Sequence, residues 1–163
     1  MNPEIRNMQP DDWSAVSRIF SQAIEAGGST FRTECPSFES WDAAHLKACR
    51  LVMTLGDEII GWCALSPTSA IPAYRGSAEL SIYLDGAFHS RGFGSDLLMR
   101  LCEESEKAGI WSLCSVIFEN NAASVGLHKK CGFRLVGKRE RIAKDRFGRW
   151  QNTVIYERRS KII

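Results

Sequence analysis

Apolar side chains at Trp13, Val16, Ile19, Phe20 and Ile24 recur at helical spacing behind the acidic start Pro10-Asp11-Asp12. That period predicts an amphipathic helix, which Gly27-Gly28 stops. A second helix is expected from Ser37 or Ser40 through Trp41, Ala44, Leu46 and Ala48. The runs LVMTL (51–55) and IIGWCALS (59–66), joined at Gly56-Asp57-Glu58, read as a β-hairpin. Prolines and a glycine make PTSAIPAYRG (67–76) a loop. AELSIYL (78–84) alternates as a strand, with Glu79, Ser81 and Tyr83 on one face and Ala78, Leu80, Ile82 and Leu84 on the other. From Arg91 to Ala108 the pattern is helical again: Leu97, Leu98, Leu101 and Cys102 share one face, Glu103, Glu104 and Lys107 the other. LCSVIF (113–118) reads as a strand and Ala122 to Cys131 as a short helix. FRLVGKR and WQNTVIYER read as two closing strands. This order predicts an α/β (α+β) chain whose mixed sheet carries helices on both faces.

Composition narrows the class without changing it. The 163 residues contain no repeat or linker and fit one domain, 1–163. A formal charge of +2 gives no case for nucleic acid or a membrane surface as partner. The six cysteines (35, 49, 63, 102, 114 and 131) form no CxxC, which argues against a metal site and a disulfide framework. The start MNPEIRNMQPDDW lacks the apolar core of a signal peptide, and no segment reaches the roughly 18 apolar residues of a membrane span. The cytoplasm is the expected compartment.

Three features carry candidate chemistry. Arg91-Gly92-Phe93-Gly94 stands directly before a helix, where free N–H groups and the positive helix end suit a phosphate. The plainer reading is a loop that needs glycine for its own dihedrals. No Gly-Lys-Ser/Thr follows, so it is no P-loop, and the third glycine of a dinucleotide fingerprint is missing. In ENNAASVGLHKKCGF (119–133), Asn120 and Asn121 can cap the following helix or hold a ligand amide, and His128 lies seven residues on from Asn121. Glu79, in a strand, is either a solvated carboxylate or a general base raised by partial burial.

Together the segments TFRTE (30–34), YRGSAELSIYL (74–84), HSRGFGSDLL (89–98), NNAASVGLHKKCGF (120–133) and FGRW (147–150) resemble the GNAT superfamily of N-acetyltransferases. Within it they are similar to the phosphinothricin and methionine sulfone/sulfoximine acetyltransferase group, over nearly the whole chain. The resemblance implies the GNAT fold: a mostly antiparallel mixed sheet with a splayed strand pair that holds acetyl-CoA. The family turn reads Gln/Arg-x-x-Gly-x-Gly/Ala, and here His89 takes its first position. By resemblance, Arg91, Gly92, Phe93, Gly94, Ser95 and Asp96 contact the pyrophosphate. Ile82, Tyr83 and Leu84 run beside the pantetheine arm, and Asn121 and Ser124 hold the cofactor. Glu79 is the implied general base, and His128 a cofactor-side residue or general acid.

Phe31, Arg32, Glu34, Tyr74, Arg75 and Trp150 match the group's pocket and rim, with Arg75 the first choice to grip an α-carboxylate. The basic run Lys138 to Arg149 reads as a solvated hairpin near the cofactor's phosphates. The implied reaction is direct acetyl transfer in a ternary complex to the α-amino group of a small amino acid, with no metal. Alternatives are another amine, such as a peptide N-terminus, a polyamine or an aminoglycoside, and a non-catalytic acyl-CoA sensor. The resemblance also implies a homodimer.

Overall fold

Seven strands form one sheet in the order β1-β2-β3-β4-β5-β7-β6 in the computed structural model, which describes residues 1–163. The strands are β1 (Pro3–Asn7), β2 (Leu51–Leu55), β3 (Glu58–Pro67), β4 (Ser77–Leu84), β5 (Ser112–Phe118), β6 (Arg134–Lys144) and β7 (Trp150–Arg159). The helices are α1 (Trp13–Ala26), α2 (Phe38–Ala44), α3 (Phe93–Lys107) and α4 (Ala122–Lys130). Every strand pair is antiparallel except β4–β5, whose parallel pairing is made possible by the α3 crossover.

The predicted period of α3 puts Leu97, Leu98 and Leu101 wholly inside, against Met53, Ile60, Leu65 and Leu113 of the sheet. Burying each such leucine contributes about 1.5–3 kcal/mol. The opposite face packs Val16, Ile19, Phe20 and Ile24 of α1 and Trp41 of α2 onto Val52, Trp62 and Ala64. Residues of β4 therefore alternate between two cores: Leu80 enters the α3 side, and Tyr83 packs on the α1–α2 side.

Several boundaries differ from expectation, among them β6, which runs on to Lys144. β1 was not expected, because PEIRN has one apolar residue, Ile5, and pairs only along an edge with β2. α2 ends at Ala44 instead of continuing through Ala48. His45 is extended (φ −116°, ψ 146°), and the Leu46 N–H leaves the helix to donate to the Leu65 carbonyl at 2.8 Å. Arg50 takes over the freed carbonyls of Asp42, His45 and Leu46. α3 starts at Phe93 because Gly92 is left-handed (φ 83°) and cannot belong to the helix.

Candidate active site

Strand pairing itself opens the site. β4 and β5 pair only at Ser77–Ser112, Ala78–Leu113 and Glu79–Cys114. Beyond that point Leu80–Leu84 stay bonded to β3 and Ser115–Phe118 to β7. The strands part, and each turns one unpaired backbone edge toward the gap, a ready partner for an extended ligand. The gap forms a groove of about 1300 Å3.

One end of the groove suits an anion. The main-chain N–H groups of Gly92, Phe93 and Gly94 make no hydrogen bond within the protein, while those of Ser95 and Asp96 turn back to the Gly92 carbonyl. Free donors at a helix N-terminus, backed by the helix dipole, bind phosphate. A Cβ at Gly92 would meet nothing within 4 Å, and one at Gly94 only Leu127 and Leu84 at 3.4–3.5 Å. Packing therefore does not demand Gly94; its missing side chain keeps the approach to the backbone clear.

α4 supplies the adjoining wall. Asn121 caps it, its Oδ1 accepting from the Ser124 N–H at 3.2 Å, which leaves Nδ2 free to donate. His128 is 1% exposed, and its Nδ1 donates to the Ser124 carbonyl at 2.7 Å. Nε2 is buried without a partner. Burial lowers the imidazole pKa below its ordinary 6.5, against a smaller opposing effect of the Ser124 carbonyl. Burial thus favours the neutral ring, whose Nε2 is an unpaired acceptor shielded from solvent, and it can give a proton only after taking a charge that burial disfavours.

Glu79 stands where the strands begin to part, opposite Ser66 on one side and Cys114 on the other. Its carboxyl opens onto the groove, yet enough protein surrounds it for desolvation to raise its pKa above 4.5. Burial and the nearby Glu79 and Glu157 push the Cys114 thiol up to about 11, so it stays protonated and weakly nucleophilic. Beyond Glu79 lies an aromatic wall, with Tyr83 5.0 Å from Phe20 and 5.2 Å from Trp62. Phe31 packs on Phe118 at 4.6 Å. Arg32 lines this end and has no acidic partner.

The model of the acetyltransferase (GNAT) family matches residues 5–133, from β1 through α4. The chain belongs to the GNAT acetyltransferase family. This GNAT chain is 27% identical over 158 residues to an L-methionine sulfoximine/L-methionine sulfone acetyltransferase of Pseudomonas paraeruginosa, covering 92% of this chain and 90% of that one. It is 31% identical to the putative phosphinothricin acetyltransferase YwnH of Bacillus subtilis, covering 79% and 82%. A solved putative phosphinothricin N-acetyltransferase superposes with a TM-score of 0.86 at 29% identity, covering 97% and 98%. The fold is shared with a Sinorhizobium meliloti phosphinothricin acetyltransferase solved with AcCoA: TM-score 0.88, 24% identity, 98% and 89% covered.

Of the residues expected at the site of this GNAT protein, Phe31, Arg32, Glu79, Ile82, Tyr83, Leu84, Gly92, Gly94, Ser95, Asn121, Ser124 and His128 all line the groove. Arg91, Phe93 and Asp96 lie in the turn but outside the lining, and the Arg91 guanidinium sits over the Phe88 ring. Glu34, Tyr74, Arg75 and Trp150 are not brought in. Arg75 lies over Trp111, whose ring closes on Gly76 so tightly that a Cβ there would come within 2.1 Å. Trp150 is half exposed beside Arg141 and Lys144. The basic hairpin is solvated as expected, but its tip docks at α1, not at the glycine turn: Arg146 donates to the Ile24 carbonyl, and Phe147 packs on Gly27.

Sequence reasoning missed Phe20, His45, Trp62, Ser66 and Phe118 in the lining. Ser66 was within reach through β-hairpin register once Glu79 was singled out. His45 carried no local signal.

Proposed function

We propose that this protein transfers the acetyl group of acetyl-CoA to the α-amino group of a small amino acid or analogue, of the methionine sulfone, methionine sulfoximine or phosphinothricin type. The observation that carries this reading is the parting of β4 and β5 after Glu79–Cys114. It leaves an open strand edge between an anion-binding turn and a carboxylate of raised pKa. The names of the relatives support the acceptor class.

Acetyl-CoA, when bound, supplies the thioester that an amine attacks. The Gly92–Gly94 amides hold its pyrophosphate, the open edge of residues 82–84 pairs with its amides, and Asn121 Nδ2 donates to it. A free N–H on the same edge polarises the carbonyl. Glu79 removes the ammonium proton, directly or through water, because only the neutral amine has a lone pair. His128 packs behind the cofactor side of α4 with its Nε2 shielded from the groove, and water is the proton source for the departing thiolate. Transfer is direct, since the Cys114 thiol stays protonated. Arg32 holds the α-carboxylate of the acceptor. The protein works as a homodimer joined along β6, the edge strand opposite β1, where Leu135, Val136 and Ile142 are exposed among basic residues. Its six free thiols suit a reducing compartment such as the cytoplasm.

Glu79→Gln tests the reading in a thiol-release assay with acetyl-CoA. Turnover should fall about 10²–10⁴-fold while acetyl-CoA still binds. Wild-type rate should fall as pH drops through the raised carboxyl pKa. A raised pKa favours the fold at low pH and loses that benefit as pH rises, so the glutamine should cost no thermal stability at neutral pH. Full turnover in the variant would remove Glu79 as the base.

A further inference from the structure

His45 is a titratable side chain in the groove with no part in the chemistry above. Its ring stacks on Trp41 at 4.4 Å, and its Nδ1 donates to the Trp41 carbonyl at 2.6 Å. Since a carbonyl can only accept, Nδ1 carries the proton and Nε2 keeps a lone pair. Nε2 makes no hydrogen bond in the protein and is not sealed in the interior, and the half-buried residue lines the same groove as Glu79. The stack on Trp41 and the bond to its carbonyl hold the ring from two sides. Burial lowers its pKa and so favours the neutral ring, against a smaller opposing effect of the Trp41 carbonyl, and the cations Arg50 and Arg32 act in the same sense as burial.

Position follows from the backbone. Leu46 donates to Leu65 on β3, and the neighbouring Ser66 pairs with Glu79 on β4. The His45 backbone therefore lies two strand spacings, about 10 Å, across the sheet from that of Glu79. An amino acid with a four-bond side chain and a hydrogen bond at each end spans about that distance.

We propose that His45 is the residue that reads the end of the acceptor's side chain. Its Nε2 accepts a hydrogen bond from a donor group there, such as the imine N–H of a sulfoximine or the NH2 of an amide. An oxygen that only accepts meets the lone pair unfavourably. This inference rests on the proposed amino-acid acetylation.

L-methionine sulfoximine and L-methionine sulfone form a near-isosteric probe pair, differing by N–H against O at one position. The wild type should favour the sulfoximine in kcat/KM by about 10-fold or more. His45→Phe preserves an aromatic stack on Trp41 and removes the acceptor, and should bring the ratio to about 1 with the KM for acetyl-CoA unchanged. If that variant does not fold, His45→Gln serves: its amide N–H can serve the sulfone oxygen, so the ratio should again collapse. A wild-type ratio of 1 or below overturns the proposal without any variant. So does a wild-type preference that survives in a folded variant. Failure of the underlying function looks different: neither amino acid releases thiol with the wild type, and both readings fall.

Discussion

Two arginines are candidates to hold the carboxylate of the proposed acceptor, and their surroundings separate them. Arg32 faces the groove without an acidic partner, whereas Arg75 rests on Trp111 outside it. Arg32→Met should raise the KM for the amino acid about 10–100-fold, the scale of one charge-assisted pair, and leave that for acetyl-CoA unchanged. Arg75→Met should change either by less than about threefold on the same scale. The reverse outcome in steady-state kinetics would move the clamp to Arg75. Both residues were legible as pocket candidates, but their ranking was not. Which way a guanidinium turns depends on the ring it meets, and Trp111 lies 36 positions along the chain. His128 shows the same limit: its place on α4 follows from helical spacing, but only packing reveals a neutral ring with an orphaned Nε2.

At the scale of elements, helix α1 grips the end of β4 just before the glycine turn. Asp85 is buried there, caps the Ala87 N–H at 3.0 Å and pairs with Arg18 of α1. Arg18 also donates to the Ile59 carbonyl, and Gln22 accepts from the Gly86 N–H. Arg18 leads the contacts that hold the Asp85 carboxyl below the usual range, so the charged form is favoured in the fold and its contribution is lost as pH falls. Asp85→Ala should cost about 1–3 kcal/mol of stability. It should also raise the KM for acetyl-CoA several-fold with kcat nearly kept, because the turn loses its anchor. Asp85→Asn keeps the cap and should rescue part of the KM effect; a kcat loss with unchanged KM would assign Asp85 to the chemistry instead. The strands β2 to β5 were legible as apolar or alternating runs, α1 and α3 by their periodic buried faces, and α4 by its Asn121 cap and the stop at Gly132. The end of α2 was not, since Leu46 leaves its helix for a partner on β3.

Over the whole molecule, the sheet has unequal edges. β1 ends one side as a short polar strand, while β6 ends the other with Leu135, Val136 and Ile142 exposed among basic residues. A second copy pairing along β6 would cover them. Light scattering at micromolar concentration should give twice the 18.3 kDa chain mass, and Leu135→Lys together with Ile142→Lys should give the single mass. A wild-type mass of one chain sinks the dimer. By itself the sequence determined the order of elements, the glycine turn, the cap at Asn121 and the glutamate in β4, because these depend on neighbours within one or two turns of chain. Tertiary structure alone decided that β4 and β5 part after Glu79, that the hairpin tip docks at α1, and that His45 enters the groove. Those outcomes depend on which distant backbone edges and rings meet, and no local pattern of polar and apolar residues encodes such a meeting.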